Sequence, residues 1–289
     1  MKICRFGAGR YGVVKGDTVI DITAVVDRLV PLTRVPFRGD PVVAKLAEIR
    51  AAIQDGRAVD GLPALPLATV DLLSPVASPS KLPSAPKNYH AHVQEMEADT
   101  NRPRREGPSL DIEEAGLFLK ANSALVGPSE GVTLRFPDRR NDHEVELVAI
   151  IGRPASNVAE GDALSHVAGY TIGLDMTLRG KEDRSFRKSI DGYAVAGPWM
   201  VTADEIADPN DLKLSLSVNG ETRQSIDTGN MILNVAKLIA FGSRFYTLLP
   251  GDLLFTGTGK GVGSVKPGDV MVAHCSGIGS MSVKVNGYA

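Results

Sequence analysis

The sequence carries no strong excess of charge and no long apolar run. Its 289 residues contain 32 lysines and arginines against 34 aspartates and glutamates, a formal net charge of −2. This balance gives no basic field for nucleic acid. No segment approaches the roughly 20 apolar residues of a membrane helix, and the N-terminus lacks the apolar core of a signal peptide. We therefore expect a cytoplasmic protein with no nucleic-acid or membrane partner.

Cysteine is equally scarce. The two thiols, Cys4 and Cys275, lie at opposite ends of the chain. They could pair only if the fold brought them together, so the sequence favours buried free thiols in a reducing compartment.

The N-terminal segment lacks the helix that a nucleotide site would need. Gly7, Gly9 and Gly12 have the spacing of a dinucleotide-binding loop, which holds pyrophosphate at the start of a helix. The residues that follow are rich in Val and Ile and are interrupted by Gly16 and Asp17. This pattern predicts a meander of strands instead of a nucleotide site.

The chain divides by composition near residue 70. Asp40 and Pro41 predict the start of a helix that runs to Asp55. Six prolines then fall within residues 61–86, which marks a connection between two units. We predict a small N-terminal α+β domain over residues 1–70 and a main domain over residues 71–289.

The main domain consists largely of short β-branched or apolar segments bounded by Gly, Pro or Asp. Such segments are typical of strands. One helix is predicted over residues 229–248, where apolar residues recur at helical spacing. Many strands with few helices predict an α+β protein with a barrel-like or rolled β core.

Two glutamates form the sharpest local feature. In a strand, Glu144 and Glu146 point to one side while Val145 and Leu147 point to the other. Neighbouring carboxylates repel, and a hard cation such as Mg²⁺ between them would remove that cost. A solvated polar face of an edge strand is the alternative interpretation.

A third acid and a glycine-rich segment add to this pattern. Asp175 ends an apolar strand, where its carboxylate needs either a cation or Arg179 as a partner. Residues 256–263, TGTGKGVG, lack the Walker spacing. They form either a simple exit from a strand or a backbone cradle for a substrate carboxylate.

Seven motifs in order resemble those of the fumarylacetoacetate hydrolase superfamily over residues 80–285. They are NYHAHVQE at 88–95, FLK at 118–120 with GP at 127–128, DHEVE at 142–146, LDMTLR at 174–179, KSID at 188–191 with GPW at 197–199, VNGETRQ at 218–224, and PGD at 250–252 with TGT at 256–258.

The resemblance implies a mixed β-roll domain with the site at one end, in a homodimer. It implies a Mg²⁺ or Mn²⁺ ion held by Glu144, Glu146 and Asp175. It also implies a helical lid on which His92 and Glu95 activate water. The i and i+3 spacing of this pair independently lets the two side chains meet on one face, whereas His90 lies off that face.

The implied reaction is hydrolysis of a carbon–carbon bond in an acylpyruvate-like 2,4-dioxo acid of the maleylpyruvate or fumarylpyruvate type, in the catabolism of aromatic compounds. Arg179 and Lys188 are the catalytic candidates to stabilise the oxyanion. The candidate substrate-binding residues are Tyr89, Gln224, Gly257 and Thr258.

Several features leave the substrate open. Gly180 stands where the family usually has an acid. Arg102, Arg104 and Arg105 form either a solvated loop or a contact to a second substrate carboxylate. Decarboxylation of an oxaloacetate-like acid, or isomerisation or decarboxylation of a 2-hydroxydienoate, would use the same metal–enolate chemistry. A non-catalytic protein that binds an oxo acid is the third alternative.

Overall fold

The computed structural model describes residues 1–31, 38–55, 60–99 and 111–288. The strands in these ranges are β1 (Lys2–Phe6), β2 (Arg10–Lys15), β3 (Thr18–Asp21), β4 (Ala64–Pro66), β5 (Leu72–Leu73), β6 (Leu82–Ser84), β7 (Phe118–Lys120), β8 (Leu125–Val126), β9 (Val132–Leu134), β10 (Asn141–His143), β11 (Val145–Ile151), β12 (Val167–Asp175), β13 (Thr177–Leu178), β14 (Ala194–Thr202), β15 (Lys213–Val218), β16 (Glu221–Asp227), β17 (Leu253–Phe255), β18 (Gly263–Val265), β19 (Val270–Cys275) and β20 (Gly279–Gly287).

The helices in the same ranges are short. They are α1 (Thr23–Leu29), α2 (Pro41–Ala44), α3 (Leu46–Gln54), α4 (His90–Ala98), α5 (Ile112–Ala115), α6 (Glu160–Ala163), α7 (Arg184–Lys188) and α8 (Val235–Ser243). No helix among the described residues is long and apolar enough to cross a membrane.

The largest sheet runs through the middle of the molecule. Its strand order is β4-β3-β2-β1-β14-β12-β11-β17-β6-β7, with β5 beside β1 and β8 beside β14. The central strands β11, β12 and β14 are buried along almost their whole length. Because both of their faces are covered, their sequences are apolar at consecutive positions instead of alternating.

A second sheet, of order β16-β15-β19-β20-β9, packs on the first. Buried and exposed residues alternate along β19 and β20, so one face meets the core and the other meets solvent. Leu147 of β11, Leu216 of β15 and Met271 of β19 belong to one apolar cluster. A small sheet of order β13-β10-β18 lies alongside. The prediction of an α+β protein built on rolled sheets is confirmed.

The N-terminal strands continue the main sheet. β1, β2 and β3 form the predicted meander, and no helix follows the glycines of the β1–β2 turn. β1 pairs antiparallel with β14, with Ile3 opposite Met200. It also pairs with β5, which lies beyond the predicted boundary at residue 70. The division into two domains stays a prediction.

Two helices are shorter than their sequence patterns predicted. The predicted helix over residues 41–55 is broken at Lys45 into α2 and α3, although Asp40 caps it as expected by accepting from the N–H of Val42 and Val43. The predicted helix over residues 229–248 is confined to α8. Asn234 caps α8 by accepting from the N–H of Lys237, so the helix begins only after Asn234.

Candidate active site

Three strand ends bring the predicted metal ligands together. Glu146 lies in β11, Glu144 in the junction before it, and Asp175 is the last residue of β12. β11 and β12 are antiparallel neighbours, and the N–H of Asp175 donates to the carbonyl of Glu144 at 2.9 Å. One oxygen from each of the three carboxylates lies within 4.8 Å of the others. The sheet register therefore builds the triad.

The triad is buried, and two lysines supply positive charge to it. Glu144, Glu146 and Asp175 are each 5% exposed or less. The Nζ of Lys188 lies 2.8 Å from Glu144 and 2.7 Å from Asp175. Lys120 donates to the other oxygen of Asp175. Because a buried charge is costly without a partner, these pairs make the cluster tolerable.

Glu146 is the member of the triad without a cation. Among the described residues no lysine or arginine pairs with it; its carboxylate accepts the N–H of Gly257 at 2.7 Å. Burial, then the charge of Asp175, raises the pKa of Glu146 well above its ordinary value. Three hard oxygen donors with negative charge in excess are what Mg²⁺ and Mn²⁺ bind. The residues present therefore fit a divalent cation.

Gly257 reaches Glu146 only because it is a glycine. Its φ is +91°, and an added Cβ would stand 2.7 Å from the Cβ of Asn88. Asn88 is itself buried and ties this loop to distant backbone, donating to the carbonyls of Leu233 and Thr256. Gly257, expected to bind substrate, thus uses its N–H on a carboxylate of the triad.

Arg179 links the triad to a neighbouring aspartate. Its guanidinium donates to Asp142 at 2.6 Å and to Glu144 at 2.9 Å. Burial acts to raise the pKa of Glu144, but Lys188 and Arg179 outweigh it and hold that pKa well below its ordinary value. Sequence reasoning left open whether Arg179 would pair with Asp175; its acidic partners are Asp142 and Glu144.

The predicted water-activating pair lies on α4. His92 is 5% exposed, and its Nδ1 stands 3.4 Å from the Glu95 carboxylate. The other oxygen of Glu95 accepts the N–H of Gly261 at 2.8 Å. Although burial acts to raise the pKa of Glu95, hydrogen bonds from His92 and Gly261 hold it below its ordinary value. The competing residue, His90, is exposed to solvent.

A single pocket is lined by residues from all of these groups. Besides the triad, its lining includes four residues predicted from the sequence, which are His92, Arg179, Lys188 and Thr258. It also includes seven that the sequence did not assign to the site, which are Ala85, Pro86, Lys87, Met96, Phe118, Arg184 and Arg187.

Gln224 and Tyr89 lie behind the lining of this pocket. The oxygen of Gln224 accepts from the N–H of Val145 at 3.0 Å, and its amide donates to Thr258 at 2.9 Å. Thr258 in turn donates to the carbonyl of Val145 at 2.7 Å. These bonds suit a supporting role for Gln224. The substrate contacts of Gln224 and Tyr89 stay predictions.

Lys120 is the site residue that sequence reasoning missed most clearly. It is the last residue of the FLK motif at 118–120, which assigned it no role. In the structure it is 2% exposed and pairs with Asp175. Burial lowers its pKa, while the charge of Asp175 opposes that shift. The signal available in the sequence was a lone lysine within an apolar strand, a position that a cation occupies only when it is paired.

The chain as a whole matches known proteins. The family described as fumarylacetoacetate (FAA) hydrolase C-terminal matches residues 84–286. The chain belongs to this family. The resemblance inferred from the seven motifs is therefore confirmed.

Individual relatives match most or all of the chain. A maleylpyruvate hydrolase from Aquipseudomonas alcaligenes is 50% identical over 99% of both chains. A crystal structure of maleylpyruvate hydrolase from Sphingobium sp. SYK-6, in complex with manganese(II) and pyruvate, is 37% identical with a TM-score of 0.83 over all of both chains. A mitochondrial oxaloacetate tautomerase from Bos taurus is 35% identical over 86% of this chain and 75% of its own. The predicted enzyme class, a metal-dependent hydrolase, is confirmed.

Proposed function

We propose that this enzyme hydrolyses the carbon–carbon bond of an acylpyruvate of the maleylpyruvate type in aromatic catabolism. The observation that carries the proposal is one pocket lined by both the carboxylate triad and His92, whose partner on α4 is Glu95. Water would add across the C3–C4 bond, so the products are pyruvate and one carboxylic acid. The identity to maleylpyruvate hydrolases along the whole chain supports this substrate class.

Glu144, Glu146 and Asp175 would hold the divalent cation, Mg²⁺ or Mn²⁺. When bound, such an ion acts as a Lewis acid that polarises the 2-oxo group. The manganese in the structure of the Sphingobium relative supports a divalent ion of this kind.

His92 is the proposed general base. Its Nδ1 faces Glu95, which leaves Nε2 as the atom that accepts a proton from water. The resulting hydroxide adds to the C4 carbonyl, and the C3–C4 bond then breaks. Its electron pair leaves with pyruvate as the enolate, which takes up a proton at C3. Glu95 is fixed by Gly261 and holds the imidazole in one tautomer.

Arg179 and Lys188 are the proposed donors to the developing oxyanion, since both line the pocket. Gln224 would act through Thr258, whose hydroxyl it holds. We assign Thr258 and the backbone beside Gly257 to the substrate. Tyr89, buried against the start of α4, would help to shape this wall.

Isomerisation or decarboxylation of a 2-oxo acid is the second candidate function, because a relative at 35% identity is an oxaloacetate tautomerase. Neither reaction needs an attacking water. His92→Ala should therefore lower hydrolysis by about 10²- to 10⁴-fold, while a decarboxylase activity would largely survive.

Proton NMR with Mg²⁺ or Mn²⁺ tests both candidates. Acetylpyruvate, maleylpyruvate, fumarylpyruvate and oxaloacetate are offered in parallel. Pyruvate together with the free acid from an acylpyruvate supports the hydrolase. Turnover of oxaloacetate alone, with the acylpyruvates left intact, would contradict it.

We also propose a cytoplasmic homodimer with no nucleic-acid or membrane partner. Two buried, unpaired cysteines suit a reducing compartment, and the net charge of −2 offers nothing to nucleic acid. Sedimentation velocity of the purified enzyme tests the dimer, and a monomer at micromolar concentration would contradict it.

A further inference from the structure

One short helix contributes three cations to the pocket wall. Arg184, Arg187 and Lys188 of α7 stand at positions i, i+3 and i+4, which share a helix face. All three line the pocket. Phe186, on another side of the same helix, is 75% exposed. The acidic residues of the pocket lining in the described part of the chain are those of the triad.

The three cations differ in what neutralises them. Lys188 is paired with Glu144 and Asp175. Arg187 pairs with no carboxylate among the residues that the structure describes. Its Nη1 donates to the carbonyl of Leu178 at 3.2 Å, and its Nε is buried without an acceptor. A buried donor left without an acceptor is costly, so this position favours an anionic ligand.

The surroundings of Arg187 reinforce this preference. Burial, then the nearby charge of Arg179, lowers the pKa of the Arg187 guanidinium. Arg184 adds a further positive charge and lies over the ring of Phe118, 5.6 Å from its centroid. An arginine fork binds a carboxylate through two parallel hydrogen bonds, which a lysine cannot reproduce.

We propose that Arg187, with Arg184 beside it, binds a second carboxylate at the acyl end of the substrate. This makes the enzyme selective for acylpyruvates that are dicarboxylates. The inference rests on the proposed function, because the first carboxylate belongs to the pyruvate end that the triad and its cation bind.

The test compares matched substrates. Maleylpyruvate and fumarylpyruvate are each assayed beside the analogue in which a methyl group replaces the terminal carboxylate. The wild type, Arg187→Met and Arg187→Lys are compared, with Arg10→Met as the control because Arg10 lies in the exposed N-terminal hairpin. Values of kcat and KM are measured for every pair.

For the better of the two dicarboxylates, the kcat/KM of the wild type should exceed that for its methyl analogue by about 10- to 100-fold. Arg187→Met should remove most of this preference, chiefly through KM, and Arg187→Lys should retain part of it. Arg10→Met should keep it.

An equal loss on both members of a pair would overturn the inference and leave hydrolysis established. So would a wild type that hydrolyses both members equally well. If the wild type hydrolyses none of these compounds, the proposed function and the inference fail together.

Discussion

Replacing Glu146 by Gln should have opposite effects on metal binding and on the stability of the metal-free protein. Lys120 and Lys188 bring two positive charges to three carboxylates, and Glu146 is the one that forms no ion pair within the described part of the chain. The amide of Gln keeps the shape and the acceptor for the N–H of Gly257. Because burial and Asp175 disfavour the ionised carboxyl of Glu146, the neutral amide should raise the stability of the metal-free protein by about 1 kcal/mol or more. That corresponds to roughly 2–4 °C in Tm for a chain of this size.

The rise in Tm on adding a divalent metal should be smaller in the variant than in the wild type. With Mn²⁺ at about 100 times its Kd, the wild type should gain roughly 2.7 kcal/mol, about 5–10 °C. If loss of a ligand weakens binding by about 100-fold, Glu146→Gln gains only about 0.4 kcal/mol at the same concentration. Scanning calorimetry of chelator-treated protein, with and without Mn²⁺, measures both shifts. A full metal shift in the variant, or a clear fall in its metal-free Tm, would refute the reasoning.

Glu48→Gln provides the matched control for this experiment. Glu48 lies on α3, its side chain is 55% exposed, and its partner is the exposed Lys45. Exposed ion pairs three residues apart contribute about 0.2–0.5 kcal/mol, so both Tm values should stay within about 2 °C of the wild type.

Three further predictions follow from the site and the core. His92→Ala should lower kcat for acylpyruvate hydrolysis by about 10²- to 10⁴-fold while keeping the Mn²⁺ shift in Tm, and a loss below tenfold would exclude His92 as the base. Gly257→Ala should cost about 1–3 kcal/mol more in urea unfolding than Gly268→Ala, because both have positive φ but only the former meets Asn88. Burial raises the pKa of both cysteine thiols to about 12, so only about one thiol in ten thousand is ionised at pH 8. Neither should react with a disulfide reagent until urea unfolds the protein, and rapid native labelling would contradict this.

Local periodicity was enough to predict much of the site. The spacing of two residues in a strand predicted that Glu144 and Glu146 share a side. The spacing of three in a helix predicted that His92 and Glu95 meet, and they do at 3.4 Å. Each prediction needs only local geometry, although Glu144 lies in the junction before β11 and not in the strand itself.

Contacts between distant segments could not be predicted in this way. Lys120 and Asp175 are 55 residues apart, and only the packing of β7 and α7 near the end of β12 brings them together. The start of α8 depends in part on Asn88, which accepts from the N–H of Leu233 across 145 positions. The apolar periodicity that predicted a helix from residue 229 contains no information about this hydrogen bond to Asn88.

The arginines of the site illustrate the same limit. Arg102, Arg104 and Arg105, one candidate for a second substrate carboxylate, lie outside the described residues. Arg187 was passed over because the short segment between Asp175 and Lys188 shows no clear periodicity. Its position on the pocket wall follows from the neighbouring Lys188, whose ion pairs with Glu144 and Asp175 fix the orientation of α7.

Charge balance connects the two ends of this pocket. If Arg179 is counted against its other partner, Asp142, the three carboxylates and two lysines leave one negative charge at the triad. A divalent cation would change this net charge from −1 to +1, and a monoanionic 2-oxo acid would then neutralise it. The charge of Arg187 stays without a carboxylate partner when the cation and the 2-oxo acid bind, because its hydrogen-bond partner among the described residues is a backbone carbonyl. A substrate with one carboxylate would leave that arginine uncompensated. The second carboxylate proposed above would supply that compensation.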